Sequence, residues 1–305
     1  MDDLIYGLAV FPVQAADASQ TYLAARNSGL YLSSDLNAKW SEVCNPHETG
    51  LPPTATAIAI PPNTGDTTRY AFAGMQGGVL RTSNGGADWY FSPLSAPPPV
   101  ISCIAVSPEF ETDGMLIVGT LEDGIFRSEN RGGVWTPSNF GLLDLRVFSL
   151  AISPHFRSDE TIFAGTESGV FVSTNAGRAW RETAFSMDDG PILSLAVSPS
   201  GAIFAGTESS GLCKSEDWGK SWFRRDDNVL SGSINQLVLL NDDEHLLALH
   251  DDQILASNDG GQNWQSWQEA LPSGITAFAM LDSSAKSTRL SIGFRDGQMQ
   301  IIQAS

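Results

Sequence analysis

The chain reads as an all-β protein, a seven-bladed β-propeller of four-stranded antiparallel blades. Three observations predict this. An eight-residue turn-like window recurs six times, its closing Trp stepping by 42 to 49 residues. Each window follows short segments rich in β-branched and aromatic residues, which read as strands and show no helical period. Seven such units fill the 305 residues. Self-similarity at this period marks a stacked or radial repeat, and four short strands per unit make one blade.

The windows are Ser33–Trp40, Thr82–Trp89, Ser128–Trp135, Ser173–Trp180, Ser215–Trp222 and Ser257–Trp264. A hydroxyl residue opens each. Asp or Asn follows two residues later, as Asp35, Asn84, Asn130, Asn175, Asp217 and Asp259. Gly takes the fifth position, except for Asn37 in the first window, and Trp ends it. Upstream lie three strands, a, b and c, seen in ISCIAVSP, LIVGT and GVFVS. The a segments begin near positions 4, 55, 101, 147, 192, 234 and 275, which makes one domain over 1–305. The last unit has TAFAML, RLSIGF and QMQII but no fourth strand. Its blade is expected to be incomplete, or closed by the residues before Tyr6.

Composition bounds the function. Hydrophobic content of 42% with eight Trp provides for a sizeable core and argues against disorder. No apolar run approaches a membrane span. A net charge of −18 with only four Lys argues against nucleic acid and favours cationic partners. The start Met-Asp-Asp-Leu lacks the basic and apolar regions of a secretory signal. Cys44, Cys103 and Cys213 make neither a disulfide framework nor a metal spacing, so buried thiols in a reducing, cytoplasmic compartment are expected.

Chemistry accounts for the window. It is the turn from strand c to strand d. The hydroxyl and the Asp or Asn oxygen satisfy N–H groups inside the turn. Gly takes a positive φ. Trp lays an apolar plate on the neighbouring blade and keeps an N–H for a partner. Asn in three windows shows that a hydrogen-bond acceptor is needed there and a charge is not. No window has the ligand count of a calcium loop, so no metal and no cofactor are expected.

The six windows resemble the Asp-box, or BNR repeat, of sialidases, sortilin-type receptors, xyloglucanases and the photosystem II assembly factor family. A sialidase would imply an Arg-Ile-Pro motif, where this chain reads YGLAVFPVQ. It would also imply a late tyrosine nucleophile, whereas the last of five Tyr is Tyr90. Xyloglucanases place their catalytic Asp residues on two tandem propellers, and one is present here. His47, His155, His245 and His250 flank no nucleophile elbow, since GTESG has no central Ser. Assembly factors are single seven-bladed rings that hold membrane-protein intermediates through a surface with an arginine patch. The 13 Arg here are dispersed beyond Arg224–Arg225.

In a propeller the a–b and c–d turns share one face, and the b–c and d–a loops share the other. The second face carries Glu122, Asp123, Glu167, Asp188, Asp189, Glu208, Asp226, Asp227, Asp251, Asp252, Trp267 and Asp296. Its d–a loops add the apolar residues Leu51, Leu94, Phe140, Leu142, Leu143, Phe185, Met187 and Leu230, expected to be exposed. This rim is the candidate docking surface of a non-catalytic protein-binding scaffold with a basic partner. The alternative is a carbohydrate-binding or glycoside hydrolase-like propeller.

Overall fold

The computed structural model describes residues 3–11, 20–35, 39–43, 53–62, 68–186, 190–224, 230–240, 242–268, 271–284 and 287–304, with the backbone alone at 282–284, 287 and 304. Seven antiparallel sheets, six ordered a-b-c-d and the last a-b-c from the inside outwards, form a ring. The a strands begin at Ile5, Ala55, Ile101, Val147, Ile192, Ile234 and Ile275. Six sheets have four strands and the seventh has three. Among the described residues there are two helices, both single turns, Phe110–Asp113 and Phe156–Asp159, in the a–b turns of blades three and four.

Strand b is the buried centre of each blade; Leu116–Thr120 and Ile162–Thr166 are buried at every position. Apolar side chains on both faces of a strand suit a sheet sandwiched between two neighbours. The core is accordingly split into clusters lying between successive blades. One joins Ile117 and Ile125 of blade three to Val147, Phe171 and Trp180 of blade four. The next joins Phe163 and Val170 of blade four to Ile192 and Cys213 of blade five.

Blades approach most closely at one repeated contact. The fourth residue of strand b is Gly74, Gly119, Gly165 and Gly206 in blades two to five. Against it packs the first residue of the next blade's strand a. A methyl group on these glycines would lie 2.5 Å from Ile101, 2.6 Å from Val147, 2.6 Å from Ile192 and 2.6 Å from Ile234 respectively. Only hydrogen fits. At the first seam the pair is Ala25 with Ala55, a methyl on each side in place of a hydrogen against a branched chain. At the sixth seam Leu249 replaces the glycine and packs with Ile275.

A β-bulge follows the first residue of every strand a, an irregularity that alternation in the sequence does not reveal. Beside it runs a belt of hydrogen bonds linking consecutive blades. Thr56 Oγ1 donates to the Ile101 carbonyl at 2.5 Å, Ser102 to Val147, Ser149 to Ile192 at 2.9 Å and Ser194 to Ile234 at 2.8 Å. At the sixth seam, where Leu249 stands in the glycine's place, Gln236 takes the place of Ser. It donates to the Phe278 carbonyl at 2.8 Å and accepts the Phe278 N–H at 3.1 Å.

The ring closes by packing. Ile5 sits over Gly293, where a methyl would meet it at 2.9 Å, and Asp3 lies against Gly297. Residues 3–5 do not supply a fourth strand to blade seven. They belong to blade one, where the Leu4 carbonyl accepts the Asn27 N–H and Ile5 pairs with Arg26.

Gly74→Ala, whose added methyl meets Ile101 first, is expected to destabilise the protein by about 1–3 kcal/mol in chemical denaturation, the usual cost of overpacking. Combined with Ile101→Ala, which imitates the Ala25–Ala55 seam, its cost should shrink by more than about 0.5 kcal/mol, the limit of additivity for independent sites.

Candidate functional site

The window face is built from one hydrogen-bond circuit, present in five windows. In blade three, Ser128 Oγ donates to Asn130 Oδ1 at 2.9 Å and accepts the Gly132 N–H at 3.0 Å; Asn130 Oδ1 accepts the Val134 N–H at 2.8 Å. Thr82 and Asn84, Ser173 and Asn175, Ser215 and Asp217, and Ser257 and Asp259 repeat it. Asn and Asp serve alike because the shared bond uses Oδ1. In the first window Ser33 donates instead to the Asp35 carbonyl. The glycine has positive φ throughout, from 74° to 94°. So does the residue before it, including the non-glycines Arg131, Ala176 and Trp218.

Asp217 and Asp259 use their second oxygen as well. Asp217 Oδ2 accepts from Ser221 Oγ at 2.6 Å, and Asp259 Oδ2 accepts from Asn263 Nδ2 at 2.7 Å. Those donors, with the Ser221 and Asn263 backbone N–H groups, hold both carboxyl groups at a pKa of about 2. The window oxygens therefore face inward to their own turns. Among the described residues no group of three His, Cys, Asp or Glu is placed to hold a metal.

The window tryptophans divide. Trp180 Nε1 donates to the Ser138 carbonyl of blade three at 2.8 Å, while Trp89 and Trp264 donate within their own windows to Gly86 and Gly261. Trp135 Nε1 and Trp222 Nε1 are buried without a partner among the described residues. Trp40 lies under the Arg26 guanidinium.

The opposite face brings the b–c and d–a loops together. The first residue of most b–c turns donates its N–H to the carbonyl just before its own strand a: Leu121 to Val100, Glu167 to Arg146, Glu208 to Pro191, Asp251 to Ser233 and Arg295 to Gly274. Many rim carboxylates are occupied by this architecture. Asp252 accepts the Gly274 N–H at 3.0 Å, Asp296 accepts the Gln298 N–H at 3.0 Å, and Asp251 accepts from Ser233 Oγ. Glu167 pairs with Arg146, which also faces Asp144 at 3.6 Å. Burial raises the Asp144 pKa, but the Arg146 and Ser168 donors outweigh it, and the net shift is downward. Asp123 contributes its backbone, donating to Thr120 and accepting from Asn139. The Glu122 and Glu208 carboxylates are exposed and make no bond among the described residues. Asp188, Asp189, Asp226 and Asp227 lie outside the described residues, as do Cys44, His47, Leu51 and Met187.

Most of the d–a apolar residues expected at the surface are not there. Leu142, Phe185 and Leu230 are buried, and Leu94 and Trp267 are partly buried in clusters between blades. Strand d is only two residues long in five blades, so the wedge between diverging blades must be filled from the loops. Phe140 and Leu143 remain, 80% and 76% exposed. Leu121 and Leu145, which the sequence did not single out, are 38% and 39% exposed. The Gly124 N–H donates to the Leu145 carbonyl, so the b–c turn of blade three lies against the loop bearing Leu143. An exposed apolar patch thus sits beside Glu122 and the Arg146 pairs.

No family model and no curated protein matches the chain. Solved structures do. The extracellular domain of a one-component system from B. thetaiotaomicron matches with a TM-score of 0.66 at 16% identity, over 98% of this chain and 39% of that one. The GH74 xyloglucanase from Xanthomonas campestris matches with a TM-score of 0.67 at 16% identity, over 98% of this chain and 54% of that one. YCF48 bound to D1 peptide matches with a TM-score of 0.66 at 16% identity, over 99% of this chain and 93% of that one. The fold is that of a seven-bladed β-propeller. The propeller spans about half or less of the length of the first two structures and nearly all of the third. At this identity the likeness concerns the fold alone.

Three outcomes are expected. A carboxyl group with a depressed folded pKa stabilises fully above its ordinary pKa and loses that effect as pH falls through the folded value. Urea midpoints should therefore fall between about pH 4 and pH 2, and by less in the Asp217→Asn/Asp259→Asn variant, which keeps Oδ1. Asp217→Ala should lower the melting temperature equally with and without calcium. Separately, desolvation pushes the partly buried Cys103 thiol up to about 12, only partly opposed by the Gly119 backbone. Iodoacetamide at pH 8 should spare Cys103 in native protein and label it after denaturation.

Proposed function

We propose that the protein is a non-catalytic scaffold, a single-domain ring of Asp-box type that captures a protein partner on its b–c/d–a rim. The observation that carries this reading is Leu143, 76% exposed at the centre of a loop pinned to the neighbouring b–c turn. A rigid exposed leucine flanked by Leu121 and Leu145 presents apolar area without the cost of ordering a loop. The free Glu122 carboxylate beside it favours a partner with Lys or Arg next to its apolar anchor. YCF48, of similar length and fold, was solved with a peptide bound, which supports peptide capture by a propeller of this size.

A specific observation also favours the glycan reading. A cavity of about 270 Å³ on the rim of blade seven is lined by Phe294, Arg295, Asp296, Gln298 and Gln300. The amide, guanidinium and carboxylate groups suit a sugar's hydroxyls, over the floor made by the buried Phe294.

Selection of displayed random peptides on the protein should enrich sequences pairing Leu or Phe with Lys or Arg. Leu121→Asp/Leu143→Asp should weaken them at least about tenfold, the effect of losing one hot-spot contact, at an unchanged melting temperature. Peptides that bind the double variant as well as the parent would defeat the docking reading. Glycan-array binding removed by Arg295→Ala but untouched by the leucine changes would establish the alternative.

A further inference from the structure

The outermost strand of blade seven, strand c (Met299–Ala304), is the edge of its sheet. Every other blade covers strand c with strand d. Every second N–H and C=O along Met299–Ala304 therefore points outward, with no strand to meet it among the described residues.

The six outer edges elsewhere are guarded. Ser41–Glu42, Thr136–Pro137, Arg181–Glu182, Phe223–Arg224 and Gln265–Ser266 are two residues long, and Tyr90–Pro93 is four. Five of the six contain a charge or a proline. Short length, charge and proline are the devices by which natural sheets resist pairing with another chain. Strand c of blade seven has none of them. It is six residues long, reads MQIIQA, and has no Asp, Glu, Lys, Arg or Pro. Ile301 is 39% exposed on it. Strands a and b behind it run for ten and eight residues, against five or six in the other blades, and make a firm backing.

We propose that this edge is a self-association surface, on which a second copy of the chain adds its own Met299–Ala304 strand antiparallel. Two blades then become one six-stranded sheet across a twofold axis near Ile301. Self-pairing needs no second type of surface, since an antiparallel edge is complementary to itself. Charge selects the same place. Two copies of −18 each repel, and the contact costs least where the surface carries no charge; no ionisable side chain occurs from Gly297 to Ser305. This inference is independent of the leucine docking patch of blade three; it shares only Gln300 with the blade-seven cavity.

Sedimentation over about 1–200 µM, the range suited to an interface below standard size, should show a shift from monomer to twice the monomer mass. Raising salt from about 0.05 to 0.5 M should strengthen the dimer by screening the net charge. Ile301→Lys/Gln303→Lys should be monomeric throughout with the parent's circular dichroism. Hydrogen exchange on the unmodified protein supplies a test that needs no variant: amides of Met299–Ala304 should slow with rising concentration, and rim amides should not. A monomer at every concentration overturns the proposal, as does a dimer that salt dissolves or that survives both lysines in a folded variant.

Discussion

Everything in this molecule depends on how closely one blade can approach the next at the top of strand b. There the backbone of a glycine meets the branched side chain that begins the following blade. In blades two to five the contact is Gly74 with Ile101, Gly119 with Val147, Gly165 with Ile192 and Gly206 with Ile234. The repeated bulge in strand a and the belt of hydroxyl groups from Thr56 to Ser194 lie beside these contacts. They convert steric fit into a fixed angular step. The sixth seam shows the rule by its exception. When Leu249 takes the glycine's place, the partner side chain lengthens from Ser to Gln, and the bridge reaches Phe278 through two bonds.

The number of blades was legible because one turn has a fixed chemistry. Its hydroxyl, its Asp or Asn and its glycine close a circuit that tolerates no change of spacing. Most of what positions the rim was not legible. The bulges leave no mark in alternation, since a hydroxyl and an Ile at the start of strand a read equally well as ordinary strand. The apolar residues of the d–a loops looked like surface because they stand beyond strand d. The wedge between blades draws Leu142, Phe185 and Leu230 inward, and only the outward Leu143 and Phe140 stay in solvent. Leu121 and Leu145 escaped notice because exposure follows from which carbonyl holds the b–c turn, a long-range fact.

The two faces divide the work of polar groups. On the window face, acids and hydroxyls are consumed by the turns that carry them, so a conspicuous motif is chemically quiet. On the rim the same occurs in part. Asp252 and Asp296 hold backbone N–H groups, and Glu167 is tied to Arg146. The net charge of −18 is therefore a poor guide to where a ligand would feel a carboxylate. Glu122 and Glu208 stand apart because no turn uses them.

The closing contact joins Ile5 to Gly293, residues from opposite ends of the described chain. During synthesis the blades emerge in order, and each can dock on its predecessor as soon as its strand a is made. Blade one must wait. Its Ile5 face stays uncovered until strand b of the final blade leaves the ribosome, so the protein exists for most of its translation as an open arc with an apolar flank. Ring closure is thus the blade contact with the greatest sequence separation, the kind that loop entropy places late in folding.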